Sequence, residues 1–228
     1  MMLMTRKLIL FLVEGITEEI SFGLIFSEIF EDKEIEFQIA RGDITTRNGV
    51  NSRNVIEVIN EEVLSFLDKE HYNKGDILEI IHLLDTDGAY ISEGLIEKHD
   101  KDKNYYYVDK LCTRHPENTK KRNDKKSSIM DRLSRHSKIN GIPYNAYYLS
   151  CNLEHVLHND ANVDDNQKVD KAEEFSDSYF ERELEFLDFI RKDSFAVEGE
   201  YEETWEFIKQ GSNSLNRYSN LHLVFEDL

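Results

Sequence analysis

The chain has 228 residues, 39% of them hydrophobic and 32% charged, with a formal net charge of -18. That length suits one moderately large domain, or one core with a substantial insertion. The acidic balance repels nucleic acid at long range and argues against a passive, non-specific nucleic-acid binder; it leaves an enzyme open, because bound cations or a local basic patch reverse the sign where it matters.

Two cysteines, Cys112 and Cys151, stand far apart, so a cysteine-based zinc site is not expected and a reduced, cytoplasmic setting is. The apolar start, Met1 to Val13, runs straight into Glu14 and Gly15 without a small-residue cleavage site. No stretch approaches the ~20 apolar residues of a membrane span, so no membrane partner is expected.

Lys7 to Val13 (KLILFLV) is a continuous apolar run, the pattern of a strand buried on both faces. Thr17 offers an N-cap, with Glu18 and Glu19 in the first turn of a helix reaching about Phe30. Glu36 to Ala40 reads as a second strand, opening into a polar loop with Asp43. Asn54 to Leu67 has helical spacing, and Ile77 to Leu84 (ILEIIHLL) is a third strand ending in Asp85-Thr86-Asp87-Gly88. Strands alternating with helices predict an α/β fold with a mostly parallel sheet.

From Lys110 to Lys138 the local charge is +7, against -25 for the rest. Within this segment Asp124 to Arg135 is expected to be helical. Ile142 to Leu149 (IPYNAYYL) reads as the fourth strand and Asn152 to His158 as a short helix. Asp160 to Glu206 is strongly acidic, with one long helix expected from Lys171 to Lys192 and another from Glu202 to Gln210. Leu221 to Phe225 is expected as a last strand or a buried tail.

Ligands in α/β sheets bind beyond the carboxyl ends of the strands, where two acidic clusters fall here: Glu14-Gly15-Ile16-Thr17-Glu18 and Asp85-Thr86-Asp87-Gly88. Asp85 and Asp87 flank one residue, so in extended geometry both carboxylates point the same way. Two carboxylates held that close repel unless a cation lies between them. With Glu14 they form an oxygen-only set suited to Mg²⁺ or Mn²⁺.

These two clusters, read as "LVEGITEE" (Leu12 to Glu19) and "LLDTDG" (Leu83 to Gly88), resemble the Toprim domain of topoisomerases, primases and several nucleases. Their order, with one strand–helix pair between, fits that family. The likeness covers about Lys7 to Tyr90 and extends through the fourth strand to about His158. It implies a Rossmann-like, mostly parallel sheet of about four strands flanked by helices over 1–158, with a basic insertion at about 101–138 and an acidic, mainly helical extension at 159–228. It also implies metal-dependent phosphodiester cleavage, with Glu14, Glu18, Asp85 and Asp87 catalytic. "VEGxTE" looks most like OLD, RloB and abortive-infection Toprim nucleases, and "CNLEHVLH" (Cys151 to His158) is similar to a RloB helix start, which adds Glu154 as a metal-ligand candidate. No GxxxxGK[ST] loop occurs in the 228 residues, so a separate ABC or OLD-type ATPase partner is expected, in antiviral defence or a toxin-like system.

Arg114, Lys120, Lys121, Arg122, Lys125 and Lys126 are candidates for contacting phosphates of DNA or RNA, and Tyr105, Tyr106 and Tyr107 for stacking on bases. The same run also reads as a solvated segment pairing with the acidic half of the chain. Asp43 either approaches the carboxylates or starts a turn, and His155 and His158 either join the metal or pack. Three functions stay open: a nuclease effector acting on DNA or a structured RNA such as tRNA, a binding or sensor subunit with a structural metal site, and a stand-alone RNA-processing nuclease. Homo-oligomerisation is open as well.

Overall fold

The computed structural model describes residues 7–40 and 42–226; Met1 to Arg6, part of the segment considered above as a leader, lie outside the described residues. The chain is α/β. Its central sheet contains β1 (Leu8–Val13), β2 (Glu34–Ile39), β3 (Ile77–Asp85), β7 (Lys138–Ile139) and β8 (Ile142–Leu149) in the order β2-β1-β3-β8-β7. The first four of that order run parallel and only β7 is antiparallel.

Five strands rather than four is a correction, and its cause is local. Asn140 and Gly141 both take positive φ, 50° and 78°, and turn the chain back so that Ile139 faces Ile142. An Asn-Gly pair between apolar residues is the usual signal for such a two-residue hairpin. It extends the sheet by one short edge strand.

Strand β1 alternates strictly between two cores, which explains its unbroken apolar run. Leu8, Leu10 and Leu12 pack with Val55, Ile59 and Val63 of α2 (Val55–Glu70) and with Ile129, Met130 and Leu133 of α3 (Pro116–Leu133). Ile9, Phe11 and Val13 face the other side, against Phe22, Ile25 and Phe26 of α1 (Ile16–Ile29). Burying an apolar side chain of this size stabilises by about 1.5–3 kcal/mol, so the two faces together anchor the sheet.

The acidic segment contributes helices to both layers. Its expected long helix is two, α5 (Lys168–Tyr179) and α6 (Glu183–Ile190), because Glu181 takes a φ of 53° between them. The break lets Phe175 and Phe186 both turn onto Phe22 of α1, with ring centroids 6.2 and 6.4 Å away. Helix α7 (Tyr201–Ile208) places Trp205 in the opposite core, and Leu221–Phe225 is a buried 3₁₀ turn rather than a strand. Between β3 and the basic helix lies a three-stranded sheet, β4 (Ile96–Lys98), β5 (Tyr105–Tyr106) and β6 (Leu111–Thr113), in the order β4-β6-β5, which begins ahead of the basic segment; α3 follows it and begins eight residues before the expected Asp124. Pro116 at its first position pre-sets the helical φ. Among the described residues no helix is long and apolar enough to cross a membrane.

Candidate functional site

The two acidic clusters meet because β1 and β3 are parallel neighbours. Glu14 follows the last residue of β1, and Asp85 ends β3. Beyond Asp85 the chain is pinned to the end of β8: Thr86 N–H donates to Leu149 O at 3.1 Å and Asp87 N–H to Cys151 O at 2.8 Å. The Thr86 hydroxyl donates to Ser214 O and accepts from Cys151 N–H, at 2.9 and 2.8 Å. This turn puts Asp87 at a φ of 50° and Gly88 at 69°, where a Cβ on Gly88 would lie 2.6 Å from Leu215. Asp85 and Asp87 therefore do not share an extended strand. They approach the site from a turn, and their surroundings differ.

Asp87 is heavily bonded. Its Oδ2 accepts from Lys126 Nζ at 2.6 Å, its Oδ1 from the Tyr106 hydroxyl at 3.2 Å, and its carbonyl from Arg122 Nη2 at 2.8 Å. Lys126, on the buried face of α3, has no exposed side-chain surface. Its ammonium also donates to Asp43 Oδ2 at 3.0 Å and lies 3.9 Å from Glu14 Oε1. Asp43 is brought in by its own loop, where it accepts from Thr45 N–H at 2.7 Å and from the Thr45 hydroxyl. Lys125 holds the same loop by donating to the carbonyls of Thr46 and Arg47 at 3.0 and 2.6 Å.

Glu14 and Asp85 are the reverse. Glu14 Oε1 and Asp85 Oδ1 are buried atoms with no hydrogen-bond partner. Burial, with like charge from neighbouring acids, pushes both carboxyls well above the usual carboxylate range. Glu18 is buried, accepts from the Thr17 hydroxyl at 3.2 Å, and is pushed up to about 7, chiefly by burial. Asp43 and Asp87 move the other way: burial is the largest single influence and raises both, but Lys126, together with Thr45 and Thr46 at Asp43 and with Arg122 at Asp87, outweighs it and holds both below the ordinary value. The site thus has a half neutralised by Lys126 and a half, around Glu14, Asp85 and Glu18, whose carboxyls are raised.

The oxygen-only donors of the second half suit a hard divalent ion, and their orphaned oxygens are what such an ion would satisfy. On the Asp87 side the cation is already Lys126. Among the described residues no group of three or more His, Cys, Asp or Glu side chains is arranged to hold a metal ion. Glu154 is buried and faces Lys168 at 3.2 Å, within charge range of Asp85 and Glu18. His158 packs edge-on against Phe175, with centroids 6.0 Å apart, and His155 lines a separate cavity with Tyr107 and Asn159.

A cavity of about 180 Å³ opens above Asp85 and Asp87, roofed by Lys103, Tyr105 and Tyr106 on one side and Asn162 to Asp165 on the other. The two sides are clasped. Tyr106 N–H donates to Asn162 Oδ1 at 2.9 Å, Asn162 Nδ2 donates to Tyr106 O at 2.8 Å, and Lys103 meets Asp165 at 2.8 Å. Of the other basic candidates, Arg114 pairs with Asp102, Lys120 lies 2.8 Å from Glu117 and 3.4 Å from Glu93, and Lys121 is exposed. Arg122, Lys125 and Lys126 point inward. Thr17 is not the N-cap: the helix begins at Ile16, and Gly15 holds the cap position without a side-chain bond.

Residue-pattern reading missed Lys126 as a counter-ion, although a signal was present. Asn123, Lys126, Met130 and Leu133 recur at helical spacing on one face, so the lysine lies on the stripe that packs inward. No family model matches this chain, and no curated protein or solved structure matches it either.

Proposed function

We propose that this chain is a Mg²⁺- or Mn²⁺-dependent nuclease cleaving phosphodiester bonds in DNA or a structured RNA. The observation that carries this reading is the pair of buried carboxylate oxygens on Glu14 and Asp85, neither with a hydrogen bond, at the carboxyl ends of adjacent parallel strands. The resemblance of the VEGxTE and DTDG motifs to those of Toprim nucleases supports the same residues. Glu14 and Asp85 would hold the ion, with Glu18 and Glu154 beside them. A bound divalent ion would supply Lewis-acid stabilisation of charge building on the phosphodiester oxygens.

The chain's own groups have distinct tasks. Glu18, titrating at about 7, takes a proton from the attacking water at working pH. Lys126, Tyr106 and Arg122 fix Asp87 and keep it ionised. The clasped roof stands over the carboxylates, and on this reading it would open for a polynucleotide to enter. A separate ATPase partner and a role in antiviral or toxin-like defence belong to the same reading, on the Toprim resemblance and the lack of a phosphate-binding loop in these residues.

The test is cleavage of labelled DNA and tRNA with Mg²⁺ or Mn²⁺, with and without a candidate ATPase, for the natural protein and Glu14→Gln. Metal-dependent cleavage lost in Glu14→Gln supports the reading; equal rates contradict it. One observation favours a second reading, a binding subunit whose carboxylates are structural: Lys126 already neutralises Asp43 and Asp87 without any metal. A tight ATPase complex that survives Asp85→Ala with Asp87→Ala, alongside no cleavage, would select it.

A further inference from the structure

One cation in this site is supplied by the chain. Lys126 Nζ lies 2.6 Å from Asp87, 3.0 Å from Asp43 and 3.9 Å from Glu14, and its side chain is wholly buried. An ammonium has three donor hydrogens. Two are used by Asp87 and Asp43, and the third side of the group faces Glu14, too far for a hydrogen bond. Outside its hydrogen-bond reach the carboxylates behave differently: Glu14 Oε1, 3.9 Å from the ammonium, and Asp85 Oδ1 are buried oxygens with no hydrogen-bond partner. The same acidic cluster is therefore satisfied on one side and unsatisfied on the other, and the boundary falls where the lysine side chain ends.

We propose that the Lys126 ammonium stands where a second divalent ion would otherwise be held, by Asp87, Asp43 and Glu14, and so limits the site to at most one ion, on the Glu14–Asp85 side. This rests on reading the carboxylates as metal ligands, but not on the site being a nuclease. A fixed side-chain cation has one consequence that an exchangeable ion does not: it cannot be removed by chelation, so the Asp87 half stays assembled when the metal is stripped. Arg122 does not fill the same role, because its guanidinium reaches the Asp87 carbonyl rather than a carboxylate oxygen.

The test counts ions. Mn²⁺ is titrated into the metal-free natural protein, Lys126→Ala and Lys126→Arg, with bound ions counted by calorimetry and by the loss of the free Mn²⁺ paramagnetic signal. Lys126→Ala is expected to bind one ion more than the natural protein, and Lys126→Arg the same number as the natural protein. Equal stoichiometry in the natural protein and Lys126→Ala overturns the proposal, as does a natural protein that binds two ions at these carboxylates. If Lys126→Ala fails to fold, Lys126→Gln, which keeps much of the side-chain volume without the charge and leaves Asp87, Asp43 and Glu14 in place, replaces it. One ion more than the natural protein then supports the proposal, and none overturns it. A natural protein that binds no ion while Lys126→Ala binds one supports the counter-ion role and tells against the metal-dependent nuclease, so the two readings fail separately.

Discussion

Lys126 Nζ lies 2.6 Å from Asp87 Oδ2, with no exposed surface on the lysine side chain. Removing one partner of a buried pair leaves an uncompensated buried charge, at a cost of about 3–5 kcal/mol. Lys126→Met is therefore expected to lower stability by about that amount in the metal-free protein, measured by urea unfolding. A loss under about 1 kcal/mol would show that water, not Lys126, solvates Asp87 and Asp43.

The unsatisfied half gives a prediction of opposite sign. Burial pushes both Glu14 and Asp85 well above the usual carboxylate range, with the neighbouring acids adding to it and Glu14 first among them at Asp85. Asp85→Asn keeps the shape and removes the ionisation, so the metal-free variant at about pH 8 should melt several degrees higher than the natural protein. The same substitution should abolish Mg²⁺-dependent stabilisation. A melting temperature that falls, with the Mg²⁺ response retained, would remove Asp85 from the ion site.

Stability should also depend on pH in a defined direction. Glu18 is raised to about 7 in the fold, so between the ordinary carboxylate range and pH 7 the folded state holds a proton that the unfolded chain has released. Stability from this group is complete below that range and is lost as pH rises through about 7. Asp43 and Asp87, lowered in the fold, act oppositely and withdraw stability only as pH falls below the ordinary carboxylate range. Without metal, the melting temperature should be highest near pH 5 and fall by roughly 5 °C toward pH 8. Glu18→Gln should flatten part of that fall; an unchanged profile would contradict the assignment to Glu18.

How much of this was legible in the residues differs by level. The parallel core was, because β1 and β3 are apolar on both faces and such strands carry unbroken runs. So was the meeting of Glu14 with Asp85, which follows from parallel neighbours ending together. The β7 hairpin was missed, although Asn140-Gly141 between Ile139 and Ile142 carries its signal. The break at Glu181 was less legible, since a non-glycine residue at positive φ leaves no compositional mark. The unequal fates of Asp85 and Asp87 were not legible: they depend on a long-range helix carrying Lys126 and on Tyr106 from the small sheet, neither fixed by local spacing.

The roof clasp predicts a gate. Asn162→Ala removes two hydrogen bonds to Tyr106 across the cavity mouth, and Asp165→Ala removes the ion pair with Lys103. These bonds are exposed, so the expected loss of stability is only about 1 kcal/mol. Amide exchange at Tyr106 should nevertheless speed up at least tenfold in the double variant, with the sheet interior unchanged. Unchanged exchange at Tyr106 would mean that the roof is held by packing alone.

The most direct test of the account is Mg²⁺-dependent cleavage of a labelled oligonucleotide by the natural protein and by Asp85→Asn, with folding of the variant verified by its melting curve. Cleavage by the natural protein that disappears on chelation and falls by at least roughly a hundredfold in Asp85→Asn is the predicted result. Cleavage that survives in a folded Asp85→Asn protein would contradict the central claim that these strand-end carboxylates carry the chemistry.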